Sequence, residues 1–155
     1  MTESDTKSAV STVTLPCQFC GAWNRVDASR IPDRPKCGEC AKPMLLDRPY
    51  PLTDASFDRV LGESAIPVVV DFYADWCGPC KMMAPEMDAF ATKHAGKVLA
   101  AKMDTDRNQR TAMLFNIRSI PTIMRFEGAA KIAEHAGALK LADIERFAGL
   151  VQGQN

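Results

Sequence analysis

Apolar and polar positions change rhythm along the chain. Residues 1–14 mix Ser, Thr and charged side chains with no apolar period, which predicts a flexible arm. Residues 15–46 place a few large apolar side chains irregularly, among them Leu15, Phe19, Trp23, Ile31 and Met44, too few for a self-sufficient core, so something covalent or metallic is expected to hold them. Asp47-Arg-Pro-Tyr-Pro51 carries two prolines that disfavour helix on either side, and so reads as a short stiff linker.

From residue 52 to residue 155 the pattern becomes that of an α/β domain. Thr53-Asp-Ala-Ser56 offers side-chain oxygens to cap a helix carrying Phe57, Val60 and Leu61. Ile66 to Tyr73 is a run of β-branched and aromatic residues, the signature of a strand buried on both faces. Cys80, Met83, Met87, Phe90, Ala91 and His94 then recur at helical spacing, with Pro85 expected to bend that helix. Val98 to Met103 predicts a second strand, so the unit strand, helix, strand favours a parallel pair with a right-handed crossover. A shorter helix is expected around Asn108 to Phe115, and Pro121 to Phe126, Glu127-Gly-Ala129 and Lys131 to His135 read as an antiparallel hairpin. Leu141, Ile144, Phe147, Ala148 and Val151 close the domain as one face of an amphipathic helix.

Composition narrows the function classes. With 155 residues, 46% of them hydrophobic and 25% charged, the chain has the profile of a globular protein rather than a disordered, collagenous or coiled-coil one. Nineteen basic residues balance nineteen acidic ones, leaving no global field for nucleic acid or an anionic membrane. Residues 15–50 mix six Lys and Arg with four Asp and Glu, a modest basic excess rather than a stripe, so no nucleic-acid partner is expected. The first fifteen residues lack an apolar core of signal-peptide length, and no stretch approaches the roughly 20 apolar residues of a membrane helix. A cytoplasmic monomer with no membrane contact is the expectation.

The six cysteines supply the chemistry. They fall as three copies of one spacing: Cys17-Gln-Phe-Cys20, Cys37-Gly-Glu-Cys40 and Cys77-Gly-Pro-Cys80. The first two pairs are separated by sixteen residues, within the range of four-cysteine zinc sites, and each can bend as a knuckle presenting two thiolates, with Gly21 and Gly38 supplying backbone freedom. Soft thiolates in tetrahedral array favour zinc over iron. Two disulfides or four free thiols are the alternatives, disfavoured by a reducing compartment.

The third pair lies between a strand and an amphipathic helix, which puts Cys77 near a helix N-terminus where partial positive charge and free N–H groups stabilise a thiolate. Cys77 is the expected nucleophile, with Cys80 one turn further in to resolve a mixed disulfide. Gly78 allows close approach of a substrate and Pro79 stiffens the loop. A structural disulfide, zinc ligation or inert core thiols would fit the spacing alone; the strand-to-helix context favours redox chemistry. An acid inside Val68-Val-Val-Asp-Phe-Tyr73 is costly to bury without a role or a partner, which singles out Asp71, although a strand end in solvent would also accommodate it.

Val70-Asp-Phe-Tyr-Ala-Asp-Trp-Cys-Gly-Pro-Cys-Lys81 closely resembles the active-site stretch of the thioredoxin family. The likeness extends in order through Ala84-Pro85, Lys102-Met-Asp104, Ile117-Arg-Ser-Ile-Pro-Thr122 and Gly137-Ala138, over roughly residues 52 to 152. It implies a central mixed sheet flanked by helices, and a cis Ile120–Pro121 bond facing the cysteines, where the backbone of Ile120 pairs with an extended substrate. It implies that Asp71 lies beneath the cysteines with a raised pKa and relays a proton to or from Cys80, tuned by Lys102, and that Trp76 belongs to the docking surface. A solvated strand lysine and an ordinary packed aromatic are the plain alternatives for the last two. With its four-cysteine zinc ribbon at residues 15–46, the chain is similar to the zinc-bearing thioredoxin 2 type. The resemblance implies a protein-disulfide reductase acting on oxidised proteins, recharged by an NADPH-dependent thioredoxin reductase. The two histidines, His94 and His135, lie at no ligand spacing from the cysteines and read as structural or solvated.

Overall fold

The computed structural model describes residues 10–150; residues 1–9 of the expected arm and Val151 of the last helix lie outside them. Among the described residues there are two sheets. Thr12–Pro16 (β1) and Trp23–Asp27 (β2) form an antiparallel pair followed by a 3-10 turn, Ala28–Asp33. A five-stranded mixed sheet in the order β3-β5-β4-β6-β7 contains Tyr50–Pro51 (β3), Val68–Tyr73 (β4), Leu99–Asp104 (β5), Thr122–Glu127 (β6) and Ala130–Ala136 (β7). β3, β5 and β4 run parallel; β6 and β7 are antiparallel additions. Among the described residues four α-helices accompany it: Phe57–Gly62 (α1), Gly78–Lys93 (α2), Gln109–Leu114 (α3) and Leu141–Phe147 (α4).

Strand parity assigns the two faces. Val68, Val70 and Phe72 of β4 point into one core with Phe57, Val60 and Leu61 of α1. Val69 points the opposite way, to Met83, Met87 and Phe90 of α2 and Ile144 of α4. Residues two apart share a face, so Asp71 and Lys102 lie on the α2 side. This parity is what brings an acid beneath the cysteine helix.

Helix starts follow local chemistry. Thr53 Oγ1 accepts from the Ser56 N–H at 3.2 Å while Ser56 Oγ accepts from the Thr53 N–H at 3.0 Å, a reciprocal arrangement that turns the chain into α1. Asp54 instead caps α3, accepting from the N–H of Thr111 at 2.9 Å and from its hydroxyl at 2.6 Å.

Three expectations are corrected. The arm ends earlier than residue 14, because Thr12 to Thr14 pair in β1, and Val13 and Thr14 are buried. Residues 47–51 are not wholly linker: Tyr50 and Pro51 pair with Ala101 and Lys102 as the sheet's edge strand, a position where proline's missing N–H leaves no ladder bond unmade. The region of residues 15–46 does not rely on metal alone. Val13, Leu15, Val26, Ile31, Met44 and Leu46 share one continuous apolar cluster with Tyr50, Leu52 and α1. The Tyr50 hydroxyl donates to the Pro16 carbonyl, and the Ala65 N–H donates to that of Thr12 at 2.9 Å, so polar bonds also cross this contact.

Candidate functional site

Two cysteine sites are present, and local backbone builds each. In the first, the Gly21 N–H donates to the Cys17 carbonyl and the Ala41 N–H to that of Cys37, each at 2.9 Å, so the two loops are congruent. The residue after each second cysteine is left-handed: Gly21 at φ 81° and Ala41 at φ 66°. Gly38 is not, which corrects its expected role; its N–H instead donates to Asn24 Oδ1 at 2.9 Å. Asn24 Nδ2 lies 3.4 Å from Cys37 Sγ, and the N–H groups of Phe19 and Glu39 point at Cys17 and Cys37 Sγ, each at 3.3 Å. The Cys37 thiol is drawn down to about 6, first by the backbone N–H of Cys40 and then by Asn24. These are donors aimed at thiolates.

The four sulfurs lie within 4.8 Å of one another, with Cys17–Cys40 at 3.7 Å and Cys20–Cys37 at 3.6 Å. A tetrahedron of sulfurs about 2.3 Å from zinc has an edge of about 3.8 Å, whereas a disulfide requires about 2.05 Å. The donor set therefore fits one zinc ion held by Cys17, Cys20, Cys37 and Cys40.

In the second site, Cys77 and Cys80 are joined as a disulfide at the start of α2, with Cα atoms 5.2 Å apart. Cys77 is the N-cap of this sixteen-residue helix, and its Sγ accepts from the Cys80 N–H at 3.1 Å. Both cysteines are 4% exposed, so burial does not distinguish an outer from an inner sulfur. What distinguishes them is direction. Cys77 Sγ is 3.7 Å from the carbonyl of Ile120, whose bond to Pro121 is cis, while Cys80 lines a cleft of about 200 Å³ on the other side.

That cleft contains Asp71 and Lys102 as well as Cys80. Asp71 is 5% exposed, and its Oδ1 has no hydrogen-bond partner from the protein. Burial pushes its pKa up to about 7, with the neighbouring Lys102 opposing the rise. Lys102 stands directly across from Asp71 in the β4–β5 register, and its Nζ lies 5.8 Å from the Tyr73 ring centre.

On the Ile120 side, Trp76 is 69% exposed, and its indole N–H donates to Asp106 at 2.8 Å. Together with Ile117, Ser119 and Ile120 it lines a second cleft of about 180 Å³. Gly78 and Pro79 are exposed beside it, so the structure gathers Trp76, Gly78, Pro79, Ile120 and Pro121 around the disulfide. Sequence reasoning missed Asp106, thirty residues from Trp76; the Asp104-Thr-Asp106 turn after β5 is its only local signal.

The thioredoxin family model matches residues 48–149. The chain belongs to the thioredoxin family. A second family model, the zinc ribbon described as "Thioredoxin 2, N-terminal", matches residues 16–42, so the chain is of the zinc-bearing thioredoxin 2 type. Thioredoxin C-3 of Corynebacterium nephridii is 38% identical over 133 residues, covering 86% of this chain and 91% of that one. Thioredoxin of Haemophilus influenzae is 44% identical over 96 residues, 62% of this chain and 90% of its own. Among solved structures, a mutant thioredoxin from Halobacterium salinarum superposes with a TM-score of 0.61 at 30% identity, covering 66% of this chain and 89% of that one. The protein is thus a thiol–disulfide oxidoreductase with a thioredoxin fold and one zinc site. Among the described residues no helix is long and apolar enough to cross a membrane.

Proposed function

We propose that this thioredoxin reduces protein disulfides through Cys77, Cys80 and Asp71. The observation that carries the reading is the asymmetry around the disulfide: Cys77 faces the open backbone of Ile120, and Cys80 faces a cleft holding a buried acid. In the dithiol form, the Cys77 thiolate, stabilised by the α2 N-terminus and the Cys80 N–H, attacks one sulfur of a substrate disulfide. A mixed disulfide forms and the first substrate thiolate leaves. Asp71 takes the proton from the Cys80 thiol, through water in the cleft, as the Cys80 sulfur attacks that of Cys77. The second substrate sulfur departs as a thiolate, which then takes up a proton from water or from Asp71, and the Cys77–Cys80 disulfide is left, two electrons having passed to the substrate.

An extended substrate backbone pairs with Ile120 beside cis-Pro121 and packs on Trp76, Gly78 and Pro79. Lys102 limits the rise of the Asp71 pKa without contacting substrate. The cycle is reset by an NADPH-dependent thioredoxin reductase, the protein works as a monomer, and a dithiol that must be regenerated after every turnover suits a reducing compartment such as the cytoplasm. A zinc ribbon that begins with β1 at Thr12 and a redox domain whose sheet begins with β3 at Tyr50 divide the work: the chemistry belongs to the second, and the zinc has a structural role. Cys20 is the exposed ligand, so peroxide reaches the ribbon there first, oxidises its thiolate and releases the metal.

Insulin-disulfide reduction coupled to thioredoxin reductase and NADPH, run before and after peroxide-driven zinc release, tests the whole reading. Turnover by the wild type and none by Cys77→Ser are expected, with activity altered once zinc has left. Turnover by Cys77→Ser at the wild-type rate would overturn the cysteine assignment, and unchanged activity after full zinc release would overturn the response to peroxide.

A further inference from the structure

The proposed relay leaves open what governs the environment of Asp71. One wall of its cleft comes neither from the sheet nor from α2. Pro49, buried just before the edge strand β3, lines the cleft together with Asp71, Cys80 and Lys102. The segment is fastened on both sides. Upstream, Thr92 Oγ1 on α2 donates to the Asp47 carbonyl at 2.9 Å, with the Asp88 carbonyl a second acceptor at 3.2 Å. The Asp47 carboxylate lies 3.2 Å from Arg48 and 3.7 Å from Arg34. Downstream, Tyr50 and Pro51 pair with β5, and the Leu52 N–H donates to the Lys102 carbonyl at 2.9 Å. Asp47 to Pro49 is therefore a strap drawn across the opening between β5 and α2.

We propose that this strap is a positioning element for the proton relay: Pro49, held down by the Thr92–Asp47 bond, limits the water that reaches the unpartnered oxygen of Asp71. The inference rests on the reading of Asp71 given above. An acid with no protein donor on Oδ1 has, besides the charge of Lys102, only water to stabilise its charged form. The wall that admits or excludes that water therefore sets its proton affinity. The other groups facing the cleft are Lys102 from β5, Tyr73 and Asp75 from β4 and its end, and Cys80, Lys81 and Asp88 from α2. On the β6 side Asp71 is opposite the apolar Ile123.

The test follows the Asp71 side-chain carboxyl by carbon NMR in the disulfide form, where neither Cys77 nor Cys80 titrates, for wild type, Thr92→Val and Pro49→Gly. Thr92 is exposed and valine keeps its shape, so that variant preserves the fold even if Pro49→Gly does not. Loosening the strap hydrates the charged form, so the midpoint of Asp71 should fall by about half a unit or more, toward the ordinary carboxylate range. A midpoint unmoved in folded Thr92→Val and Pro49→Gly, even with lowered thermal stability, would reduce the strap to packing and overturn the proposal. Asp71→Asn separates the two ideas: if it resolves mixed disulfides at the wild-type rate at every pH, the relay falls, whatever the strap does to the titration.

Discussion

Asp71 shows how one residue trades stability for chemistry. In the unfolded chain its carboxyl titrates near the usual value of about 4, whereas burial holds the folded one at about 7. Between those values the unfolded state releases the proton and the folded state retains it, so stability falls as pH rises through the window and levels off above it. The full span corresponds to about 4 kcal/mol at most. Asp71→Asn should therefore stabilise the protein little at pH 4 and by an amount growing to about 2–4 kcal/mol at pH 8, checked by urea unfolding across that range. A gain that does not depend on pH would mean that the acid is ionised throughout. Ala41 makes the opposite point about legibility. Glycine spacing suggested freedom at Gly38, but the congruent loops place the left-handed residue after the second cysteine, where the second loop carries alanine.

At the scale of elements, α2 positions more than the cysteines. The N-cap of α4, Lys140, makes no side-chain cap bond of its own. Glu86, on α2, accepts instead from the Leu141 N–H at 2.8 Å. Further along, Lys93 and His94 both lie 2.7 Å from Glu145 of α4, and these contacts hold the Glu145 carboxyl below the usual range, Lys93 first and His94 next. His94 is thus structural, as its spacing implied. Glu86→Ala should cost about 1 kcal/mol, the usual worth of a lost helix cap, and should speed amide exchange in the first turn of α4 without altering the disulfide chemistry. Exchange unchanged there would show that packing of Ile144 alone holds the helix. The elements themselves were largely readable, because β4 is a run of β-branched and aromatic residues while α2 and the closing helix repeat apolar positions at 3.6-residue spacing. Tyr50–Pro51 escaped because two residues contain no period, and prolines there signal only that no helix forms.

For the whole molecule, the ribbon and the redox domain share one apolar cluster, so metal binding and global folding should be coupled. Gly96 marks how close they come. It sits at φ 94°, and a Cβ there would lie 2.8 Å from the Ala28 carbonyl oxygen, which is backbone and cannot swing aside. Stripping zinc with a chelator should lower the thermal midpoint of the whole protein, and Gly96→Ala should cost more than about 1 kcal/mol, both read by calorimetry. An unchanged redox-domain transition after zinc removal would show two independent units instead.

Local pattern and spacing were enough for β4 to β7, the cysteine helix and the cysteine pairs, since periodicity and ligand spacing are properties of neighbours in the chain. Contacts distant in sequence were not legible: the Trp76–Asp106 bond, the cap of α4 by Glu86, and Pro49 against the cleft of Asp71. These pairings join segments tens of residues apart. No local period encodes such neighbours, because they meet only after the sheet has ordered its strands and the helices have packed against it.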